Sequence, residues 1–247
     1  MRYLVLADIH ANLEALDTCL ADASVRKYDR TLVLGDVVGY GADPDAVIER
    51  VRALSPFAIV RGNHDKVACG LEPAEDFNAI ARSAALWTRD VLTQGHRDWL
   101  AGLPQGPSQV DDLIEICHGS PFDEDAYIFD ELDALRALKS SVRPLCLFGH
   151  THCPIAFDLT EDTLESTAPS PPLAVQFFLI GQSKYLVNPG AVGQPRDGDP
   201  RAAYAIVDVA KGRIELFRLT YPVEQAQAKV IQAGLPDMLA KRLAVGR

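Results

Sequence analysis

Five short polar clusters carry whatever chemistry this chain performs: Asp8-Ile9-His10, Gly35-Asp36, Gly62-Asn63-His64-Asp65, His118-Gly119 and Gly149-His150-Thr151-His152. Five of the six histidines stand in these clusters, and only His96 lies outside them. The side chains offered are carboxylate, imidazole and one carboxamide, with no thiolate. Such donors suit divalent Mn, Fe, Co, Ni or Zn rather than a cysteine-rich structural zinc. The seven candidate ligands, Asp8, His10, Asp36, Asn63, His118, His150 and His152, exceed what one ion needs. Two ions about 3.5–4 Å apart, sharing a carboxylate, fit the count and the two-metal arrangement for displacement at phosphorus. Each cluster alone reads equally well as a turn, since Gly and Asn tolerate left-handed backbone. It is their recurrence at five strand ends that favours a common site.

An apolar, β-rich run precedes each cluster: Tyr3–Ala7, Thr31–Leu34, Phe57–Val60, Leu113–Cys117 and Pro144–Phe148 are read as strands. Between the first two, a helix from Asn12 to about Val25 has Leu13, Leu16, Leu20 and Ala23 near helical spacing, with Asn12 as its N-cap or at the rim of the site. Asp43 is read as the N-cap of a second helix, with Pro44 at its first position. A helical region is expected from about Pro73 to Leu92. Further strands are expected at Ile155–Leu159, Ala174–Ile180, Tyr185–Val187, Ala203–Val209 and Ile214–Leu219, then helices at Val223–Ala233 and Pro236–Val245. Ser166–Pro172 reads as a mobile loop, and Trp87 and Trp99 as core. The alternation implies an α/β protein, in which ligands gather beyond the carboxyl ends of the strands, so the clusters should converge on one crevice. Neither repeat nor linker divides residues 1–247, which read as one domain with residues 66–112 as a helical cap over the site.

Composition sets the boundaries. With 48% hydrophobic and 23% charged residues, the 247-residue chain is ordinary for a globular protein and excludes collagen, disorder and coiled coil. A net charge of −10 disfavours bulk nucleic-acid binding but leaves room for a small phosphorylated substrate held by local cations. Five widely spaced cysteines without a C-x-x-C pair read as free thiols in a reducing, cytoplasmic setting. No run approaches the ~18 apolar residues of a membrane span.

Taken in order across residues 8–152, the five clusters resemble those of the calcineurin-like metallophosphoesterase superfamily. Asp8-x-His10-x-Asn12 and the late Asn188-Pro189-Gly190 look closest to its small prokaryotic phosphodiesterase-like branch. The resemblance implies a four-layer α/β/β/α sandwich, two mixed sheets flanked by helices. It places Asp8, His10 and His152 on a first metal and Asn63, His118 and His150 on a second, with Asp36 bridging and His64 as the catalytic histidine. The implied activity is hydrolysis of a small phosphorylated substrate, a phosphodiester or pyrophosphate ahead of a monoester, by a hydroxide bridging two divalent ions, Mn favoured. His64 would stabilise phosphoryl charge or, protonated, donate to the leaving oxygen.

Departures from the family pattern narrow the reading. Gly39 and Tyr40 stand where related protein Ser/Thr phosphatases carry an Asp and a phosphate-clamping Arg, which disfavours that activity. An inactive scaffold of the same fold is the other alternative. Ala11 replaces a common Gly, a swap expected to be tolerated if the backbone there is not left-handed. Tyr40 and Arg196 are candidate substrate contacts, Tyr40 by stacking and Arg196 by pairing with phosphate oxygens, although pairing with Asp197 or Asp199 is the favoured reading of Arg196. Arg61 is a similar candidate. Asp65, adjacent to His64 on an extended segment, is assigned local hydrogen bonding or the orientation of His64.

Overall fold

Successive residues of the first strand, β1 (Arg2–Leu6), face two different apolar cores: Leu4 and Leu6 one, Tyr3 and Val5 the other. A strand buried on both faces belongs to an inner layer. The computed structural model describes residues 1–168, the backbone of 173–176, and residues 183–247. After β1 come α1 (Leu13–Arg26), β2 (Arg30–Val33), α2 (Pro44–Ala53), β3 (Ala58–Ile59), α3 (Asn63–Cys69), α4 (Ala79–Val91) and α5 (Gln94–Ala101). The middle of the chain holds β4 (Ser108–Gln109), β5 (Ile114–Ile116), α6 (Glu131–Ser140), β6 (Leu145–Leu147), β7 (Ile155–Thr160) and β8 (Thr163–Thr167). It closes with β9 (Leu173–Gln176), β10 (Lys184–Asn188), β11 (Ala202–Asp208), β12 (Arg213–Leu219), α7 (Val223–Gln232) and α8 (Asp237–Leu243).

Two six-stranded mixed sheets result, ordered β3-β2-β1-β11-β12-β9 and β4-β5-β6-β10-β7-β8. Tyr3, Val5, Leu32 and Leu34 of the first meet Ile114, Ile116, Leu145, Leu147 and Val187 of the second. On the outer face of the first sheet, Leu4, Leu6, Val33 and Ile206 pack on Leu16 of α1 and Ile48 of α2. On the outer face of the second, Cys146, Leu186 and Phe157 pack on Ala134, Ala137 and Leu138 of α6. The layers are therefore α/β/β/α, as the resemblance implies.

Several local expectations change. Ser166 and Thr167 are not loop: they pair in β8 with Phe157 and Ala156, while residues 169–172 lie outside the described residues. Of the strand expected at Ala174–Ile180, Ala174–Gln176 belong to β9 and 177–180 lie outside the described residues. The helix expected from Pro73 starts at Ala79, where the Asn78 side chain accepts from the Ile80 and Ala81 amides and halts propagation toward Pro73. Asp43 stands at the N-cap of α2 without a capping bond, because its carboxylate instead takes Lys229 Nζ at 2.7 Å. Helices α5 and α6, unforeseen, start at Thr93 and Asp130, whose side chains accept amides of the first turn. Trp87 and Trp99 are only partly buried against the cores.

Because Leu4 is fully buried between β1 and the helices, Leu4→Ala should lower unfolding free energy by about 2–5 kcal/mol. Val142→Ala, at a side chain 64% exposed, should change it by less than about 0.5 kcal/mol. Urea unfolding of both variants checks the pair.

Candidate metal centre

Parallel pairing brings the clusters together. β1, β2 and β3 run parallel, as do β5, β6 and β10, so their carboxyl ends share one edge of the sandwich. Backbone bonding continues past the strand ends: Asp8 N donates to Gly35 O at 3.2 Å and His10 N to Asp36 O at 2.9 Å. In the second sheet Gly149 N donates to His118 O at 2.8 Å. Asn188, at the end of β10, donates from Nδ2 to the Gly149 carbonyl at 2.7 Å and to Thr151 Oγ1 at 3.0 Å, which fixes the Gly149–His152 loop.

Two buried donor sets form there. One oxygen or nitrogen from each of Asp8, His10, Asp36 and His152 lies within 4.8 Å of the others, and a second set joins Asp36, His118 and His150 under the same limit. Asn63 Oδ1 lies 3.2 Å from His118 Nε2 and adds a fourth donor to the second set. Asp36 belongs to both: its Oδ2 stands 3.5 Å from His10 Nε2 and 3.5 Å from His118 Nε2, while Oδ1 accepts the His64 amide at 2.9 Å. All seven residues that the sequence offered as ligands therefore meet, drawn from both sheets.

Tautomers follow from the second bond each ring makes. His10, His118 and His152 place Nδ1 at 3.1, 2.9 and 2.5 Å from the carbonyls of Val38, Leu34 and Gln194. A carbonyl only accepts, so Nδ1 carries the proton and Nε2 is left to face the centre. The Nε2 atoms of His10 and His152 then oppose each other at 3.0 Å. Two lone pairs facing each other beside two buried carboxylates suit a cation, and the donor set fits divalent metal ions. His150 differs: its Nε2 lies 3.1 Å from the Asp125 carbonyl, which leaves Nδ1 for an ion.

Without cations the cluster is electrostatically tense. Burial pushes Asp8 up to about 7. Burial would do the same to Asp36, but His118, His64 and His10 outweigh it and hold that carboxyl well below the usual range. Burial lowers His10, His150 and His152. It also acts to lower His118, yet Asp36 prevails and raises that ring to about 10. A cation held by the second set would therefore have to displace a proton from His118.

His64 sits beside the centre with its ring 4.3 Å from Tyr40 and 4.7 Å from Phe77. Burial lowers it to about 4, so near neutrality the ring meets the cleft uncharged, which favours the first of its two expected roles, a hydrogen bond to phosphoryl charge, over proton donation as imidazolium. Asp65 does not orient it. The segment is helical rather than extended, and Asp65, in the first turn of α3, accepts the Gly62 and Val38 amides at 2.9 and 3.1 Å. Asn12 caps α1 at the Ala15 amide and also donates to the Gly193 carbonyl and the Tyr221 hydroxyl. Arg196 pairs with neither neighbouring carboxylate, because Arg218 takes Asp197 and Arg201 takes Asp199. Its Nη2 instead reaches the Tyr40 hydroxyl at 3.3 Å and Gln194 Oε1 at 3.2 Å. Arg61 is consumed by Glu124.

A cleft of about 270 Å³ opens beside the centre, lined by Asn63, His64 and His150 together with Tyr40, Phe77 and Tyr127. Sequence reading missed Phe77 and Tyr127, which no local motif marks. Part of the 66–112 stretch (Glu72, Pro73, Asp76, Phe77, Asn78 and Ala81) forms its wall.

Comparison with known proteins decides the family. The calcineurin-like phosphoesterase superfamily domain matches residues 1–212. This chain belongs to that superfamily. It is a metal-dependent phosphoester hydrolase by membership and by its clustered His and Asp donors. An uncharacterized protein of Methanocaldococcus jannaschii is 34% identical over 98% of this chain and 97% of its own length. The crystal structure of a metallophosphoesterase from Sphaerobacter thermophilus is 38% identical with a TM-score of 0.87, covering 100% of both chains. A hypothetical protein from Pyrococcus horikoshii shares the fold at 20% identity and a TM-score of 0.80, over 100% of this chain and 98% of its own.

Within this phosphoesterase the Gly39 substitution has a steric meaning. Gly39 has φ +92°, and a Cβ there would lie 2.5 Å from His64 Nδ1, so an Asp at this position would displace the histidine. Similarly Gly35, at φ +87°, leaves 2.8 Å between a built Cβ and His118 Nδ1. Ala11 does not meet the condition for easy tolerance: its φ is +50°.

Two measurements follow. Ala11→Gly should relieve left-handed strain and raise stability by up to roughly 1 kcal/mol, read from the urea midpoint of the ion-free protein. In an NMR pH titration of that protein the His64 ring should stay neutral until pH nears 4, with no midpoint near 6.5. Since the lowered value leaves the ring almost wholly neutral well before pH 6.5, activity should not fall as pH rises through 6.5 on account of His64.

Proposed function

We propose that the chain is a dinuclear phosphodiesterase of small phosphorylated substrates, acting as one domain. The observation that carries this is Asp36 Oδ2, equidistant at 3.5 Å from a histidine of each donor set. Asp8, His10 and His152 would hold one ion, Asn63, His118 and His150 the other, and Asp36 both. When bound, two divalent ions supply Lewis acidity toward phosphoryl oxygens and hydroxide near neutral pH. Mn is our favoured metal among Mn, Fe, Zn, Co and Ni.

The chain's own groups do the rest. His64, neutral and facing the cleft, donates a hydrogen bond to a phosphoryl or leaving oxygen as charge gathers there. Its seat against Tyr40 and Phe77 fixes the ring for that contact. Arg196, free of carboxylate partners and bound to Tyr40, supplies one guanidinium toward the same phosphate. The described cleft lining contains Glu72, Asp76 and Asp125, and against these three carboxylates Arg196, bound to Tyr40 of the lining, sets one guanidinium. That balance favours a singly charged diester over a dianionic monoester. Tyr40, Phe77 and Tyr127 offer apolar surface to the leaving group, and residues 72–81 serve as the cap. The five free cysteines support a cytoplasmic setting.

The protein with Mn²⁺ should bind two ions per chain and hydrolyse bis-p-nitrophenyl phosphate faster than p-nitrophenyl phosphate. His64→Ala should retain both ions and lose roughly 10²–10⁴-fold in kcat. Hydrolysis of neither ester by the two-ion protein would overturn the catalytic reading and favour a scaffold.

A further inference from the structure

Outside the donor sets, α3 carries a buried ammonium, that of Lys66, a side chain 1% exposed. It lies on α3, one turn after Asn63. Its Nζ stands 2.6 Å from Asp125 Oδ2, 2.9 Å from Glu72 Oε1 and 3.3 Å from Glu124 Oε1. Glu124 is held from its other side by Arg61, at 2.9 and 3.0 Å. A buried charge costs several kcal/mol in desolvation unless it is fully paired, so this lysine is tied firmly to all three carboxylates.

What it ties matters for the centre. Residues 119–127 form a tight loop directly after His118: Gly119 N donates to Glu124 O and Ser120 N to Asp123 O, both at 3.0 Å. The Asp125 carbonyl of this loop is the group 3.1 Å from His150 Nε2. Two residues on, the Tyr127 ring stacks on the His150 ring with centroids 3.8 Å apart. One ammonium thus joins the helix bearing Asn63 to the loop that orients His150 and follows His118.

We propose that Lys66 is a positioning residue for the second ion: by fixing Asp125 against α3 it holds the carbonyl that directs His150 Nε2 away from the centre and Nδ1 into it. The inference rests on the dinuclear reading above and adds a residue that neither carries a ligand atom nor touches substrate. The acidic triad Glu72, Glu124 and Asp125 is accordingly no metal site of its own, since Lys66 fills it. Among the described residues the first set, Asp8, His10 and His152, makes no hydrogen bond to residues 119–127; Asp8 accepts the His150 amide, which belongs to the separate Gly149–His152 loop. Its affinity should therefore be insensitive to Lys66.

Calorimetric titration with Mn²⁺, with Co²⁺ visible absorption as a second probe of coordination, separates the two ions. Lys66→Met should leave the first ion at wild-type affinity and weaken the second by about 10–100-fold, with an altered spectrum for the second Co²⁺ equivalent. Lys66→Arg should restore most of the loss. If Lys66→Met fails to fold, Asp125→Asn, at a side chain 45% exposed, takes its place with the second ion weakened about tenfold. Unchanged second-ion affinity in either folded variant, or equal weakening of both ions, would overturn the inference. A wild-type protein that binds fewer than two ions would instead overturn the dinuclear reading beneath it.

Discussion

Everything in this structure turns on the Asp36 carboxylate, fully enclosed and shared between imidazoles from opposite sheets. With Asp36 counted in each, four oxygens and nitrogens crowd within 4.8 Å of one another on one side and three on the other. Removing so many lone pairs from water is costly unless positive charge is placed among them. In the ion-free chain a proton settles on His118, raised by Asp36, while burial keeps His10 and His152 neutral. Divalent cations would resolve the same conflict for both sets at once.

Crowding of this kind leaves its mark on the backbone. Asp8, His10, Asp36, His150 and His152 all adopt positive φ, between 49° and 68°, in a conformation that residues with a Cβ seldom take. Each costs roughly 1–3 kcal/mol, tolerated because the surrounding strand ends and amide bonds leave no alternative. Glycine clears the remaining space where His64 and His118 press against the β2 loop. Strand β1 itself is ordinary and buried on both faces; these five left-handed residues stand beyond strand ends, where the ligands must turn inward.

Charge around the centre is partitioned rather than scattered. Arg218, Arg201 and Arg61 each engage a nearby carboxylate, and Lys66 engages three. Arg196 alone of this group is left to tyrosine and glutamine partners beside the donor sets. In a protein of net charge −10, such pairing decides which cation remains for an incoming phosphate.

Sequence alone determined the order of strands with polar ends, the α/β class and the seven candidate donors. Each of these depends on local pattern: alternating apolar runs make strands, and Asp or His at the end of a strand is visible in the chain itself. It also exposed Ala11 and Gly39 as departures, without showing that Ala11 is left-handed or that Gly39 backs His64. Only tertiary structure decided the rest. The partner of Arg196, the helical turn under Asp65, the neutrality of His64 and the reach of Tyr127 and Lys66 all depend on residues distant in sequence. Pairing between far segments is a competition among many similar charges and rings, and its outcome is settled by packing distance and burial, which no local pattern encodes.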